Sequence, residues 1–174
     1  MLQYSERWLD AKPYREIFDG RVHRKLSAKL DHGRVQAVIS ALLLEWAAER
    51  GGVASEWRVR LDEETTLVPD VSFESDERLA GLSEDDRQTL PFSPQLVVEI
   101  RSPRDRRQNV ERKTELYVRH GAIAVLNVDP TKRIVHVTTG DAEFTLKDGD
   151  GFTHAAFSGL ELRVSDIFAP LDRR

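Results

Sequence analysis

Residues 95–130 read QLVVEIRSPRDRRQNVERKTELYVRHGAIAVLNVDP, and their pattern indicates how the central sheet is connected. Residues 95–100 are largely apolar apart from Glu99, which is typical of a central strand buried on both faces. Residues 104–120 form a polar, basic segment with helical character, and residues 122–128 are again apolar. A helix that connects two strands of one sheet makes a right-handed crossover. We therefore predict a strand–helix–strand unit whose two strands are parallel neighbours.

Upstream of this unit, the sequence predicts a hairpin and a long helix. Asp19-Gly20 is a strong turn signal between two short extended stretches within residues 14–26. Apolar residues then recur at helical spacing, with Asp31 as a candidate cap and Gly51-Gly52 as a stop. These apolar residues are Val35, Val38, Ile39, Leu42, Leu43 and Trp46.

The remaining segments read mainly as strands. Residues 53–61 and 67–73 each predict one strand, and a polar connection follows. Residues 133–146 predict a second hairpin, and residues 152–168 predict short strands with a helical turn. The order predicts an α/β fold with a mixed central sheet flanked by helices, an N-terminal hairpin and extra C-terminal strands, in a single domain spanning residues 1–174.

Composition excludes several classes of protein. The chain has 174 residues, of which 40% are hydrophobic and 32% charged, as in an ordinary globular protein with one core. It has no cysteine, which excludes disulfides, thiolate metal sites and a cysteine nucleophile. Its net charge of −4 argues against a protein that coats nucleic acid non-specifically. No segment reads as a signal peptide or membrane span, so we expect a cytoplasmic protein that does not contact membranes.

Two carboxylates lie inside apolar strands. Burying Glu99 is costly unless it has a partner or a metal, and Asp70 sits in a second short apolar run after Pro69. Strand carboxylates that converge at one end of a sheet suit a hard cation, so we expect Mg²⁺ or Mn²⁺. The alternatives are a strand-end Glu99 that reaches water and an Asp70 that belongs to a turn.

Basic residues follow Glu99. Lys113 lies on the crossover helix, which packs back on the sheet, so its ammonium could orient a water molecule or stabilise developing negative charge. The surrounding cations could form a track for the phosphate backbone of DNA or simply a solvated helix face. The candidates for this track are Arg104, Arg106, Arg107 and Arg112. His32 either reaches the same site or contacts a carbonyl group or water at the start of the long helix.

These pieces together resemble the Uma-two family of the restriction-endonuclease-like superfamily. The matching residues are Val68-Pro69-Asp70-Val71, Val97-Val98-Glu99-Ile100, Ser102-Pro103, Lys113, Tyr117, Gly121 and Asp129-Pro130, together with Glu16, Asp19-Gly20 and His32 upstream. The resemblance runs from about residue 14 to residue 137. It implies a restriction-endonuclease-like fold and a metal-dependent nuclease site.

The resemblance also implies roles for individual residues. Asp70 and Glu99 take the metal-binding positions, and Lys113 takes the catalytic lysine's role. Arg101 stands where the parent superfamily has its lysine, and an arginine binds phosphate well. His32 and Glu16 become accessory candidates.

Two departures from the family pattern leave the activity open. The family often has Asp four residues before the helical lysine, where this chain has Asn109, and often has a Glu-aromatic pair where this chain has Ala124-Val125. One reading is a DNA-cleaving phosphodiesterase. The other is a module of the same fold that binds DNA or a protein partner without cleavage. We also expect a homodimer, the commonest assembly of soluble proteins.

Overall fold

The computed structural model describes residues 14–25, 29–103 and 105–172. Its strands are β1 (Arg15–Phe18), β2 (Arg21–Arg24), β3 (Gly51–Ser55), β4 (Val59–Arg60), β5 (Thr66–Leu67), β6 (Val71–Ser75), β7 (Leu96–Ile100), β8 (Ala124–Asp129), β9 (Ile134–Thr139), β10 (Glu143–Leu146), β11 (Gly151–Phe152) and β12 (Leu162–Arg163). Its helices are α1 (Leu30–Ala47), α2 (Asp76–Leu79), α3 (Glu84–Gln88), α4 (Arg107–Arg119) and α5 (Val164–Phe168), followed by a 3₁₀ turn over Ala169–Asp172.

The central sheet has six strands in the order β10-β9-β8-β7-β6-β3. As the sequence predicted, β7 and β8 are parallel neighbours joined by α4, whereas the other pairs are antiparallel. In the parallel register Glu99 lies beside Asn127. The predicted mixed sheet flanked by helices is therefore confirmed.

Helices cover both faces of this sheet. On one face α1 buries Val35, Ile39 and Leu43 in a core shared with β6, β7 and β8. On the other face α4 buries Leu116 and Tyr117 against β7 and β8 and against the N-terminal hairpin. None of the helices in the described part of the chain has both the length and the apolarity needed to cross a membrane.

The predicted hairpin forms part of a second sheet. β1 and β2 pair antiparallel, and both turn residues adopt positive φ, 51° at Asp19 and 66° at Gly20. Asp and Gly tolerate this left-handed backbone better than other residues. The small sheet has the order β2-β1-β5-β4 and lies beside the carboxyl end of β7.

The predicted strands over residues 53–61 and 67–73 are each broken in two. The first is divided between β3 in the large sheet and β4 in the small one, with Glu56 at a φ of 56° where the chain changes direction. The second is divided between β5 and β6 around Pro69 and Asp70. Pro69 has no N–H to donate to a strand ladder. The break leaves Asp70 just before β6, between the two sheets.

Both predicted limits of the long helix were wrong in detail. Lys29, which makes no side-chain cap, takes the capping position, and Asp31 lies in the first turn, where its charge complements the helix dipole. The helix ends at Ala47, and Gly51 begins β3 instead. A Cβ at Gly51 would lie 2.1 Å from the Glu74 carbonyl oxygen, so close strand pairing requires the glycine.

Two glycine substitutions should therefore change the free energy of unfolding in opposite directions. Gly51→Ala should lower the free energy of unfolding by about 1–3 kcal/mol, because backbone atoms must move apart. Gly33→Ala, in the first turns of α1 with nothing within 4 Å of its Cβ, should raise it by about 0.5–1 kcal/mol. Urea denaturation of both variants measures the difference. Equal stability of Gly51→Ala and the wild type would contradict the close approach.

Candidate active site

A pocket of about 420 Å³ opens where β6 and β7 meet the hairpin and α4. It brings together the three residues at the centre of the sequence prediction, Asp70, Glu99 and Lys113. Among the other ionisable side chains of the pocket, three contact these residues: Glu16, Lys25 and His32. The six side chains together comprise three carboxylates, two ammonium groups and an imidazole.

Asp70 is buried between the two sheets. One carboxylate oxygen, Oδ2, accepts a hydrogen bond from the Ile100 N–H at 2.7 Å and lies 3.3 Å from Nε2 of His32. The other, Oδ1, lies 2.8 Å from Nζ of Lys25. Burial by itself would raise the pKa of Asp70, but the Lys25 ammonium and His32 outweigh it and hold that pKa well below its usual range. Asp70 is therefore ionised.

Glu99 lies on β7, beside the strand that follows Asp70. Its Oε1 accepts a hydrogen bond from the Tyr117 hydroxyl at 2.8 Å and lies 2.6 Å from Nζ of Lys113. Burial raises the pKa of Glu99, Lys113 opposes that rise, and the negative charges of Asp70 and Glu16 add to it. The carboxylates therefore repel one another, and Glu99 gains from any additional positive charge.

Lys113 projects from α4 and links the two sheets. Its Nζ lies 2.9 Å from Glu16 on β1 and 2.6 Å from Glu99 on β7. Glu16 is buried, and its carboxylate accepts a hydrogen bond from the Val68 N–H at 3.0 Å. Burial would lower the pKa of Lys113, but the two carboxylates raise it well above its usual value. Lys113 therefore stays protonated and acts as a cation and hydrogen-bond donor, not as a base.

His32 lies in the first turn of α1, with its imidazole beside Asp70. Burial would lower its pKa, but the hydrogen bond and the charge of Asp70 raise it above 6.5. A raised pKa means that protonated His32 contributes to stability at acidic pH, and that this contribution is lost as the pH rises through the folded-state pKa.

The fold places only some of the arginines predicted to bind phosphate at the pocket. Arg101 and Arg106 line the pocket, and Arg101 lies 3.5 Å from Asp129. Arg107 pairs with Glu111 outside the pocket, and Arg112 pairs with Asp19 and Glu115. Arg104 lies outside the described residues.

Sequence reasoning missed the hairpin cations at this pocket. Arg21, Arg24 and Lys25 all line it. The hairpin register places Glu16 opposite His23, and side chains alternate along a strand, so Lys25 shares the face of Glu16. That alternation was a usable signal for Lys25 once Glu16 had been identified.

Tyr117, one of the residues that match the family pattern, donates a hydrogen bond from its hydroxyl group to Glu99. Tyr117 follows Lys113 by four residues, so both side chains lie on the same face of α4. Helical spacing could therefore have indicated that both reach Glu99.

The pocket's donor set fits a hard divalent cation bound in part by solvent and substrate. In the described ranges no cluster of three or more His, Cys, Asp or Glu side chains is arranged to hold a metal. Mg²⁺, however, commonly uses one or two carboxylates and completes its octahedron with water and phosphate oxygens. Asp70 and Glu99 supply such a pair.

The His32–Asp70 contact makes a testable prediction. In Asp70→Asn the imidazole stays buried but loses its counter-charge, so its pKa should fall from above 6.5 to below 6.5. NMR titration of the histidine ring signals measures this value. Asp19→Asn, which removes a carboxylate that pairs with Arg112, is the control and should leave His32 unchanged. An unshifted His32 in Asp70→Asn would show that the pair does not form.

Comparisons with known proteins agree with the predicted fold. The fold is similar to a crystal structure described as "a putative nuclease belonging to DUF820" from Anabaena variabilis ATCC 29413, with a TM-score of 0.83. The match covers 91% of this chain and 92% of that one at 19% sequence identity. At this identity the similarity shows a shared fold only. No curated protein matches the chain.

The comparison with family models covers nearly the whole sequence. The Uma2 model, described as "Putative restriction endonuclease", matches residues 2–165. The chain therefore belongs to the Uma2 family.

Proposed function

We propose that this protein is a divalent-metal-dependent nuclease that hydrolyses phosphodiester bonds in DNA. The observation that carries the proposal is the convergence of Asp70, Glu99 and Lys113 in one pocket, with Lys113 2.6 Å from Glu99. The family's description as a restriction endonuclease supports the same reaction class.

Asp70 and Glu99 would hold a Mg²⁺ or Mn²⁺ ion. Such an ion, when bound, lowers the pKa of a coordinated water molecule and offsets charge on the phosphate. Asp70 suits this role because it stays ionised, and Glu99 suits it because a cation relieves the repulsion from its neighbours. The backbone N–H of Ile100 fixes the orientation of Asp70.

Lys113 would stabilise negative charge that develops on the phosphate and orient the attacking water. Its ammonium remains protonated between Glu16 and Glu99, so its contribution is electrostatic and directional. Tyr117 is a positioning residue, because its hydroxyl donates a hydrogen bond to Glu99 and its side chain does not line the pocket. Glu16 likewise positions Lys113.

The rim of the pocket supports a phosphate-rich substrate. Arg21 and Arg24 approach from the hairpin, and Arg101 and Arg106 approach from the segment before α4. These cations lie in a protein of net charge −4, so attraction to a phosphate backbone is local to this pocket. The proposed DNA track therefore runs across the hairpin and the segment before α4.

A non-cleaving DNA-binding module remains the alternative, and one residue favours it. Asn109, which stands where the family often has Asp, lines the pocket. A neutral side chain there removes one negative charge near the proposed metal. The alternative predicts DNA binding without cleavage.

The proposed chemistry can be tested with purified protein, Mg²⁺ or Mn²⁺, and supercoiled, linear and single-stranded DNA. Cleavage should occur, and Glu99→Gln or Lys113→Met should each slow it by about 100-fold or more, since each removes a preorganised charge. Glu45→Gln, an exposed carboxylate on α1 outside the pocket, is the matched control and should retain wild-type activity.

The outcomes separate the two functions. Loss of cleavage in the two pocket variants, with circular dichroism like the wild type, supports the nuclease. DNA binding by the wild type without cleavage of any substrate would instead support the binding module.

A further inference from the structure

Lys25 makes two contacts deep in the pocket. Its ammonium lies 2.8 Å from Asp70 Oδ1 and donates a hydrogen bond to the Val68 carbonyl oxygen. Its side chain is only 14% exposed, an unusual position for a lysine. The proposed reaction gives Lys25 no role.

We propose that Lys25 is an internal counter-ion that competes with the divalent cation for Asp70. The inference rests on the metal site proposed above. In the metal-free protein the ammonium neutralises Asp70, and when a cation binds, the Lys25–Asp70 pair breaks. Lys25 thus sets the metal concentration at which the site is filled.

The two oxygens of Asp70 show why the competition is direct. Oδ2 is occupied by the Ile100 N–H and His32. Oδ1 is buried, and the partner that the structure describes for it is the Lys25 ammonium, 2.8 Å away. A metal that binds this oxygen must therefore take the place of Lys25.

Charge makes the two cations mutually unfavourable. The pocket already holds the ammonium groups of Lys25 and Lys113, and a divalent ion adds two positive charges in a partly desolvated space. Like charges at such short range repel strongly where water screens them little. Removing the Lys25 charge should therefore strengthen metal binding, whereas a purely structural lysine would weaken binding when lost.

The test is a calorimetric titration of the full chain with Mn²⁺ alone. Lys25→Met should bind Mn²⁺ about tenfold more tightly than the wild type or better, because one repelling charge is gone. Lys25→Arg keeps the charge and should bind within about threefold of the wild type. Lys29→Met removes an exposed lysine outside the pocket and is the matched control.

Thermal melting gives a second readout that remains informative if Lys25→Met is poorly folded. Without metal this variant should melt below the wild type, because Asp70 is left buried without its ammonium partner. Saturating Mn²⁺ should raise its melting temperature more than that of the wild type.

Each outcome decides one question. Tighter Mn²⁺ binding by Lys25→Met, or binding by that variant alone, supports competition. Equal or weaker binding while the wild type binds overturns the role of Lys25 and leaves the metal site intact. Binding by neither protein overturns the metal site and the competition with it.

Discussion

One ammonium group connects the parts of this molecule on which its chemistry depends. Lys113 reaches from α4 to Glu16 in the small sheet and to Glu99 in the central sheet, at 2.9 and 2.6 Å. Losing one partner of such a buried network leaves uncompensated charge, which typically costs about 3–5 kcal/mol. The position of the hairpin over the end of β7 and the geometry of the pocket are therefore set by the same contact.

The charges of six contacting side chains at the centre of the pocket nearly cancel, whereas arginines line its rim. Asp70, Glu99 and Glu16 face Lys25, Lys113 and His32, so each carboxylate has a cation within reach. This balance explains how six ionisable groups share a small space. Under the proposed metal dependence, a bound cation would replace one of these counter-ions.

The sequence predicted the parts of this structure that depend on local patterns. The apolar runs around Glu99 and over residues 122–128 indicated parallel neighbours, and a carboxylate inside such a run indicated a site. The break at Glu56 could not be predicted, because pairing with a distant segment, Arg60 with Leu90, divides that strand. Pro69, by contrast, was a local signal for the break before β6. Strand alternation places Lys25 on the face of Glu16, but the burial of its side chain depends on Asp70 and Val68, which are distant in the sequence.

The claim that Asp70 and Glu99 share one cation is tested most directly by a crystal grown with Mn²⁺ and measured by anomalous scattering. We expect a single strong peak within about 2.0–2.4 Å of an oxygen from each carboxylate, with water completing the coordination. A peak bound to only one of the two, or no peak in the pocket at saturating Mn²⁺, would contradict the account.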